Sequence, residues 1–465
     1  MLPDVALLEI FGCYVDQVRE EEEEDWPKIE AWHTLVHVCR KWRIVVLESP
    51  RRLDLRLLCT DKTPVKETLA VWPPLPIVIV QSCQPTKMDN IIVALNHNDR
   101  VRRIDLLDVT NSQLDEVLAT MQQPFPMLTE FAIWLDDDGL LEGEMPPVVP
   151  ESFLGGSAPR LQYLLLDHVP FPGLPKLLLS ATGLVSLHIW GVPHSGYFSP
   201  EAMARCLSML TRLERLWIGF ESPLPCPVRG SRRLPPPTRS VLPVLRNFRL
   251  MGVSEYVEDL VARIDAPLLN RLSITFFHYL ILNTPQLAQF IGRTPKLQTL
   301  DEAQVVFSDR LVEITSPQTL SRSFALGISC RQSDWQLSSL AQVCRSSFPE
   351  FLIPTVERVF ICENEYDRPR WQDDIENSQW LEVLHPFTAL KDLHVSQEFL
   401  PRIATALQEL AGERITEVLP ALQRLFLEGL HPSEPVQEAI QKFVAARQLV
   451  GHPIAVSHWD GKRDE

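Results

Sequence analysis

Hydrophobic residues recur from about residue 99 onward in one six-residue pattern, L-x-x-L-x-L, in which Leu, Ile, Val and Phe replace one another. Complete copies begin at Val101, Leu128, Leu161, Leu184, Leu213, Leu245, Leu269, Val356, Leu390 and Leu422. A broken copy, LQTLDE, begins at Leu297, and apart from the interval that follows it, successive copies start 23 to 34 residues apart. A period of this length is typical of a repeat architecture.

Each copy predicts a short strand whose leucine-type positions point into a shared core and whose alternate positions point outward. Segments of helical pattern, such as 199–211 and 284–294, lie between the copies. Because one strand and one helix cannot bury their apolar faces alone, the units should stack side by side. The pattern therefore predicts an α/β leucine-rich-repeat solenoid of parallel strands and helices over 99–465. Residues 298–355 are expected to hold one irregular unit, around 324–328. An α/β domain with amphipathic strands is the alternative.

The segment before the repeats has a helical pattern. Leu7, Phe11 and Val15 recur at helical spacing and predict a helix over 1–19. A second apolar stripe predicts one continuous helix over 28–47.

Six consecutive acidic residues, 20–25, separate the two predicted helices and are expected to form a solvated loop. Alternating apolar residues near 53–57 and 75–80 predict two short strands that lead into the repeats. Two short helices are too small to form a stable core alone. They must therefore pack on the repeats or on another protein.

Composition excludes several functions. The chain has 44 basic and 60 acidic residues, a net charge of −16, which disfavours binding to a phosphate backbone. No apolar run reaches the ~20 residues of a membrane helix, and no leader pattern is present, so we expect a cytoplasmic or nuclear protein. No phosphate-binding glycine loop and no G-x-S-x-G motif occurs, so we expect neither an enzyme nor a cofactor.

Metal and disulfide chemistry are also not expected. The nine cysteines are scattered and never form Cys-x-x-Cys, which predicts free thiols. His33 and His37 are four residues apart and share a helix face, but no third ligand is evident. A structural or surface histidine pair is therefore the preferred interpretation.

At the N-terminus, LPDVALLEIF followed by LVHVCRKWRIVVLESPRRLDLRL resembles an F-box, in particular the F-box-like proteins expanded in basidiomycete, mushroom-forming fungi. The resemblance implies a substrate-recognition adaptor of a cullin-RING, SCF-type ubiquitin ligase. In that family the F-box helices dock on a Skp-type adaptor subunit, and the repeats hold a protein substrate. By position, the adaptor-docking residues would be Leu2, Pro3, Leu8, Ile10, Phe11, Val38, Cys39, Trp42 and Arg43.

The outward strand positions supply a second candidate site. Aromatic and arginine side chains carry much of the energy at protein interfaces, and several of them occupy outward positions on four successive predicted strands. We therefore predict a substrate-binding patch on the concave face, formed by Trp134, Tyr163, Trp190, Arg215 and Trp217. Burial of these rings under flanking loops is the alternative.

Three regions follow from these patterns. Residues 1–50 form an F-box-like helical module, 51–98 hold lead-in strands and a linker, and 99–465 form the solenoid, with loop insertions near 139–159 and 223–243. Two functions remain open. The chain is either an F-box-type adaptor, or a stand-alone repeat scaffold whose leading helices only cap the solenoid. The identity of the substrate is not predicted.

Overall fold

The computed structural model describes residues 2–21, 30–81, 88–136, 145–221, 238–277, 282–316, 323–364, 366–371, 376–410, 415–429 and 433–460. The chain forms two compact units. Unit 1 comprises Met1–Phe198 and Met209–Leu213, and unit 2 comprises Ser199–Ser208 and Glu214–Glu465.

Three helices open unit 1: α1 (Asp4–Glu21), α2 (Trp32–Val38) and α3 (Arg40–Leu47). The continuous helix predicted over 28–47 is wrong, because Cys39 between α2 and α3 adopts an extended conformation with φ −158° and ψ 169°. The Cys39 sulfur accepts a hydrogen bond from the Trp42 backbone N–H at 3.5 Å and so caps α3. Most of the acidic run, 22–25, lies outside the described residues.

The rest of unit 1 alternates strands with helices. In chain order the elements are β1 (Leu57–Cys59), α4 (Val65–Val71), β2 (Ile77–Gln81), α5 (Asp89–Leu95), β3 (Val101–Val109), α6 (Asn111–Thr120), β4 (Glu130–Leu135), β5 (Tyr163–Asp167), α7 (Leu174–Leu178) and β6 (Ser186–Val192). All six strands pair in parallel and in sequence order. The predicted lead-in strands therefore belong to the same sheet as the first repeats.

Unit 2 continues the same alternation. In chain order its elements are α8 (Pro200–Leu207), β7 (Arg215–Phe220), β8 (Ser240–Val241), β9 (Asn247–Gly252), α9 (Ser254–Val261), β10 (Ile264–Asp265), β11 (Arg271–Phe277), α10 (Pro285–Gly292), β12 (Glu302–Phe307), β13 (Leu311–Thr315), β14 (Ser323–Ser329), α11 (Gln336–Ser346), β15 (Arg358–Glu363), α12 (Asn377–Leu384), β16 (Asp392–Val395), α13 (Leu400–Gln408), β17 (Arg424–Glu428), α14 (Glu434–Leu449) and β18 (Ala455–Trp459). The main sheet has the spatial order β7-β9-β11-β14-β13-β12-β15-β16-β17-β18, and β8 pairs separately with β10.

The strands β12 to β14 form the irregular unit. β14 pairs in parallel with β11, β12 pairs in parallel with β15, and β13 lies antiparallel between β12 and β14. The predicted irregular strand around 324–328 falls within β14. The broken copy is displaced, because Leu297 ends a 3₁₀ turn and its strand begins only at Glu302.

Burial follows the predicted alternation. In β5, Leu164 and Leu166 are buried, whereas Tyr163, Leu165 and Asp167 are half-buried. The α/β class and the leucine-rich-repeat-like succession of strands and helices are thus confirmed within each unit.

The two predicted loop insertions lie partly within the described residues. Residues 137–144 and 222–237 lie outside the described residues. In the described part of the first insertion, Phe153 is buried and its ring contacts those of Phe131 and Phe171 at 5.4 and 5.7 Å. This part therefore belongs to the core of unit 1.

Candidate functional sites

The first candidate site is the surface of the helices α1, α2 and α3, which we call the N-terminal module. Its core contains Phe11, which is fully buried, with its ring centroid 4.7 Å from that of the half-buried Trp42. Leu53, Leu55 and Leu57 belong to the same hydrophobic cluster, so the cluster extends past residue 50 into the lead-in segment. The module is therefore packed against the first strand of unit 1.

The predicted adaptor-docking residues divide by exposure. Phe11 is buried and offers no surface to an adaptor in this conformation, whereas Leu8 and Trp42 are half-buried. The remaining six are exposed: Leu2, Pro3, Ile10, Val38, Cys39 and Arg43. The predicted set therefore mixes core residues with surface residues.

Polar contacts fix the helices of the module. Lys41 Nζ donates to the Leu2 carbonyl oxygen at 3.1 Å and lies 2.9 Å from Asp4 Oδ1, which joins the start of α3 to the start of α1. Arg43 Nε donates to the Val36 carbonyl oxygen at 3.0 Å. Of the basic residues Arg40, Lys41 and Arg43, the last two thus already have partners within the module.

The histidine pair lies beside an aromatic cluster. The His33 ring lies 4.0 Å from the Trp32 ring and 4.9 Å from the Trp72 ring, measured between centroids. Burial lowers the pKa of His33, and the nearby His37 lowers it further. In the part of the chain that the structure describes, no three His, Cys, Asp or Glu residues form a group able to hold a metal ion.

The second candidate site is the outward face of unit 1, formed by the outward side chains of β3 to β6. Trp134 on β4 is in register with Asp167 on β5, and Asp167 is in register with Trp190 on β6. Both tryptophans are half-buried. Three of the predicted patch residues, Trp134, Tyr163 and Trp190, therefore point to the same side of one sheet.

Two polar groups lie beside these aromatic rings. Tyr163 contacts the His188 ring edge-on at 5.5 Å, and His188 Nε2 lies 2.9 Å from Ser186 Oγ. His168 Nδ1 lies 3.2 Å from Asp167 Oδ1, and the His168 ring lies directly against Gly191.

A separate charged group occupies β3 and β4. Arg103 lies 2.9 Å from Asp105 and 3.3 Å from Glu130. Burial of Asp105 raises the pKa of its carboxyl, although the hydrogen bond from Arg103 opposes the shift. The one arginine of this face is therefore already shared between two carboxylates.

The other two predicted patch residues belong to unit 2. Arg215 is exposed, and Trp217 is half-buried with the Arg249 guanidinium 5.9 Å from its ring centroid. This distance allows a cation–π contact.

Sequence reasoning missed an aromatic ladder at the far end of unit 2. His394 stacks between Phe360 and Phe426, with ring centroids 4.2 and 4.1 Å away, and its ring meets Trp459 edge-on at 5.3 Å. Phe360, His394 and Phe426 are outward residues of the copies that begin at Val356, Leu390 and Leu422. The alternation that predicted the patch around Trp134 and Trp190 could therefore have found them. Beside the ladder, Arg424 donates two hydrogen bonds to Asp392, at 2.6 and 2.5 Å.

No protein-family model and no curated protein matches the chain. Among solved structures, the chain is similar to the leucine-rich-repeat-containing protein LegL7 from Legionella pneumophila, with 11% identity and a TM-score of 0.27. The match covers 84% of this chain and 97% of that one.

The described elements define an α/β protein of leucine-rich-repeat-like strand and helix units. Among the helices that the structure describes, none is both long and apolar enough to cross a membrane.

Proposed function

We propose that the protein is an F-box-type adaptor. Its N-terminal module would dock on the Skp-type subunit of a cullin-RING ubiquitin ligase, and its outward strand faces would bind a protein substrate. The proposal assigns docking to residues 1–50 and substrate binding to the repeats. It requires no catalytic residue and no cofactor of the chain's own.

The observation that carries this proposal is the apolar surface of the module. Six large apolar side chains between residues 2 and 44 are 37% to 63% exposed: Leu2, Val5, Ile10, Tyr14, Val38 and Ile44. Single exposed apolar residues are normal, but a concentration of them in one small segment is typical of an interaction surface. The resemblance of this segment to an F-box favours a Skp-type adaptor subunit as the partner.

A specific observation also favours the second function, a stand-alone scaffold capped by the module. The opposite side of the module shares a hydrophobic cluster with Leu53, Leu55 and Leu75, next to the first strands of unit 1. Terminal units of repeat proteins need such a cover. Under this alternative the exposed residues of the module have no binding role.

Binding of the full chain to a purified Skp-type adaptor subunit, measured by calorimetry, separates the two functions. We expect Ile10→Asp and Val38→Asp, at positions 51% and 56% exposed, to weaken binding at least about ten-fold without changing the melting temperature. Val71→Asp is the matched control, because Val71 is 73% exposed on α4, outside the predicted docking set. Phe11→Asp is unsuitable, because a charge at a buried position disrupts the module.

Equal affinity of wild type, Ile10→Asp and Val38→Asp for the adaptor would contradict docking through this surface. Absence of any binding by the wild-type chain would leave the capped scaffold as the better account.

A further inference from the structure

A carboxylate lies between two tryptophans on the outward face of unit 1. The register places Asp167 directly between Trp134 and Trp190 on three adjacent parallel strands. Neighbouring strands are ~4.8 Å apart, so the Cα atoms of the two tryptophans are roughly 10 Å apart, with the aspartate midway. Residues in register on parallel strands leave the sheet on the same side, so the Asp167 carboxylate lies between two longer indole side chains.

This arrangement suits a cation. A positive group is attracted to the face of a tryptophan ring within ~6 Å of its centroid. The strand bearing Asp167 lies ~4.8 Å from the strand of each tryptophan, which is within that range. The Asp167 side chain is 23% exposed, and its Oδ1 atom is buried beside His168, so a ligand would approach from the side of Oδ2. An ammonium or guanidinium group at this position would meet a carboxylate oxygen between two indole side chains.

The charges of the same face favour a cationic occupant. The outward residues of β3 to β6 include the carboxylates Asp105, Glu130 and Asp167 but one guanidinium, Arg103, which lies against the first two. Among the described residues, the one basic group that pairs with Asp167 is His168, and the two facing atoms, 3.2 Å apart, do not form a hydrogen bond. A lysine or arginine from a partner would add a permanent positive charge beside this carboxylate.

We propose that Trp134, Asp167 and Trp190 form a binding site for a lysine or arginine side chain of a protein partner. The inference deepens the proposed function and rests on it, because it takes the outward face of unit 1 as the surface that holds the substrate. It identifies the chemistry of that substrate as a segment that presents a basic side chain.

The test uses the full chain labelled with 5-fluorotryptophan, which gives eleven fluorine resonances for the eleven tryptophans. Trp134→Phe and Trp190→Phe assign the two resonances of interest. Titration with Nα-acetyl-lysine-N-methylamide, whose side-chain ammonium is free, should shift these two resonances with a dissociation constant on the order of 1 to 10 mM. N-acetyl-norleucine-N-methylamide, of similar shape but uncharged, should give no saturable shift.

Asp167→Asn, which keeps the size of the side chain, should weaken binding of the lysine derivative roughly three- to ten-fold. Asp115→Asn is the matched control, because it removes the same charge from the exposed side of α6 and should leave the affinity unchanged. Equal shifts with the norleucine derivative would identify an apolar peptide site and overturn the proposal. An unchanged affinity of Asp167→Asn would overturn it as well.

These outcomes are distinguishable from failure of the proposed function. Adaptor binding by the full chain depends on Ile10 and Val38 of the N-terminal module, whereas cation binding is read from the resonances of Trp134 and Trp190. Loss of the first with retention of the second would reject the ubiquitin-ligase role and keep the cation site on a scaffold.

Discussion

Replacing Gly191 by alanine tests the packing beneath the cation site. Gly191 has a φ of +58°, and a Cβ atom at this position would lie 2.4 Å from two atoms of the His168 ring. His168 is itself in the left-handed region at φ +58° and follows Asp167 directly. Glycine at position 191 therefore permits both the left-handed backbone near the end of β6 and the close approach of the His168 ring.

The cost has two parts. A residue with a Cβ in the left-handed region costs about 1 to 2 kcal/mol relative to glycine. Apolar contacts are favourable near ~3.5 to 4.0 Å, so the His168 ring must move by roughly 1 Å, which costs about 1 to 3 kcal/mol as overpacking. We therefore expect Gly191→Ala to lower the free energy of unfolding by about 2 to 5 kcal/mol.

Urea denaturation followed by tryptophan fluorescence measures this loss. A double-mutant cycle separates the two parts. Because His168→Ala removes the ring that overpacks, Gly191→Ala should lower the free energy of unfolding of the His168→Ala variant by only about 1 to 2 kcal/mol. Gly183→Ala is the matched control, because its nearest contact would be the Leu161 carbonyl oxygen at 3.8 Å. A Gly191→Ala variant within about 0.5 kcal/mol of wild type, or no coupling with His168, would refute this reasoning.

Three further predictions concern an arginine, a glutamate and the cysteine thiols. Arg447 is fully buried and donates hydrogen bonds to three carbonyl oxygens. Arg447→Ala should therefore lower the free energy of unfolding by about 3 kcal/mol and reduce hydrogen-exchange protection in α14. Unchanged protection would contradict this prediction. Burial raises the pKa of Glu313 in the folded chain, so ionisation of this carboxyl lowers stability as pH rises above its pKa in the unfolded chain. Glu313→Gln should therefore raise the melting temperature in calorimetry at pH 7.5 but not at pH 4. Equal shifts at the two pH values would contradict a raised pKa at Glu313. Iodoacetamide at pH 8, read by peptide mass spectrometry, should modify the exposed Cys13 and Cys39 before the buried thiols of the described residues. Burial raises the pKa of four other thiols, to about 11 for Cys59 and Cys330 and to about 12 for Cys206 and Cys344. These four thiols should react slowly, and their rapid modification would contradict the prediction.

The sequence predicted the repeated strands because their core positions have a fixed spacing. In the copy that begins at Leu213, for example, Leu216 and Ile218 are buried on β7. The strand β13 was not predicted, because its buried residues Val312 and Ile314 alternate without the leading leucine of the pattern. Pairing of such a strand depends on its neighbours in space.

The N-terminal module shows a second limit. Ile10 and Phe11 are adjacent apolar residues of α1, but the first is 51% exposed and the second is fully buried. Helical periodicity alone cannot decide which of them faces inward, since the choice depends on where α3 packs. The break at Cys39 was also not predictable, because no proline or glycine interrupts the apolar stripe there.

The outward face was predictable to the level of single side chains, because strand residues alternate with a period of two. Trp134 and Trp190 were expected on one surface, and both are half-buried there. Their alignment with Asp167 required the register between strands, which depends on loop lengths and on packing.

The reversed order of β12 to β14 has a consequence for synthesis on the ribosome. β11 ends at Phe277, but its next neighbour in the sheet, β14, begins only at Ser323. The nascent chain therefore cannot add strands to unit 2 strictly in the order in which they emerge. β11 can pair with β14 only after residues 278–322 have been synthesised, and β12 gains its second neighbouring strand only after β15 has been made.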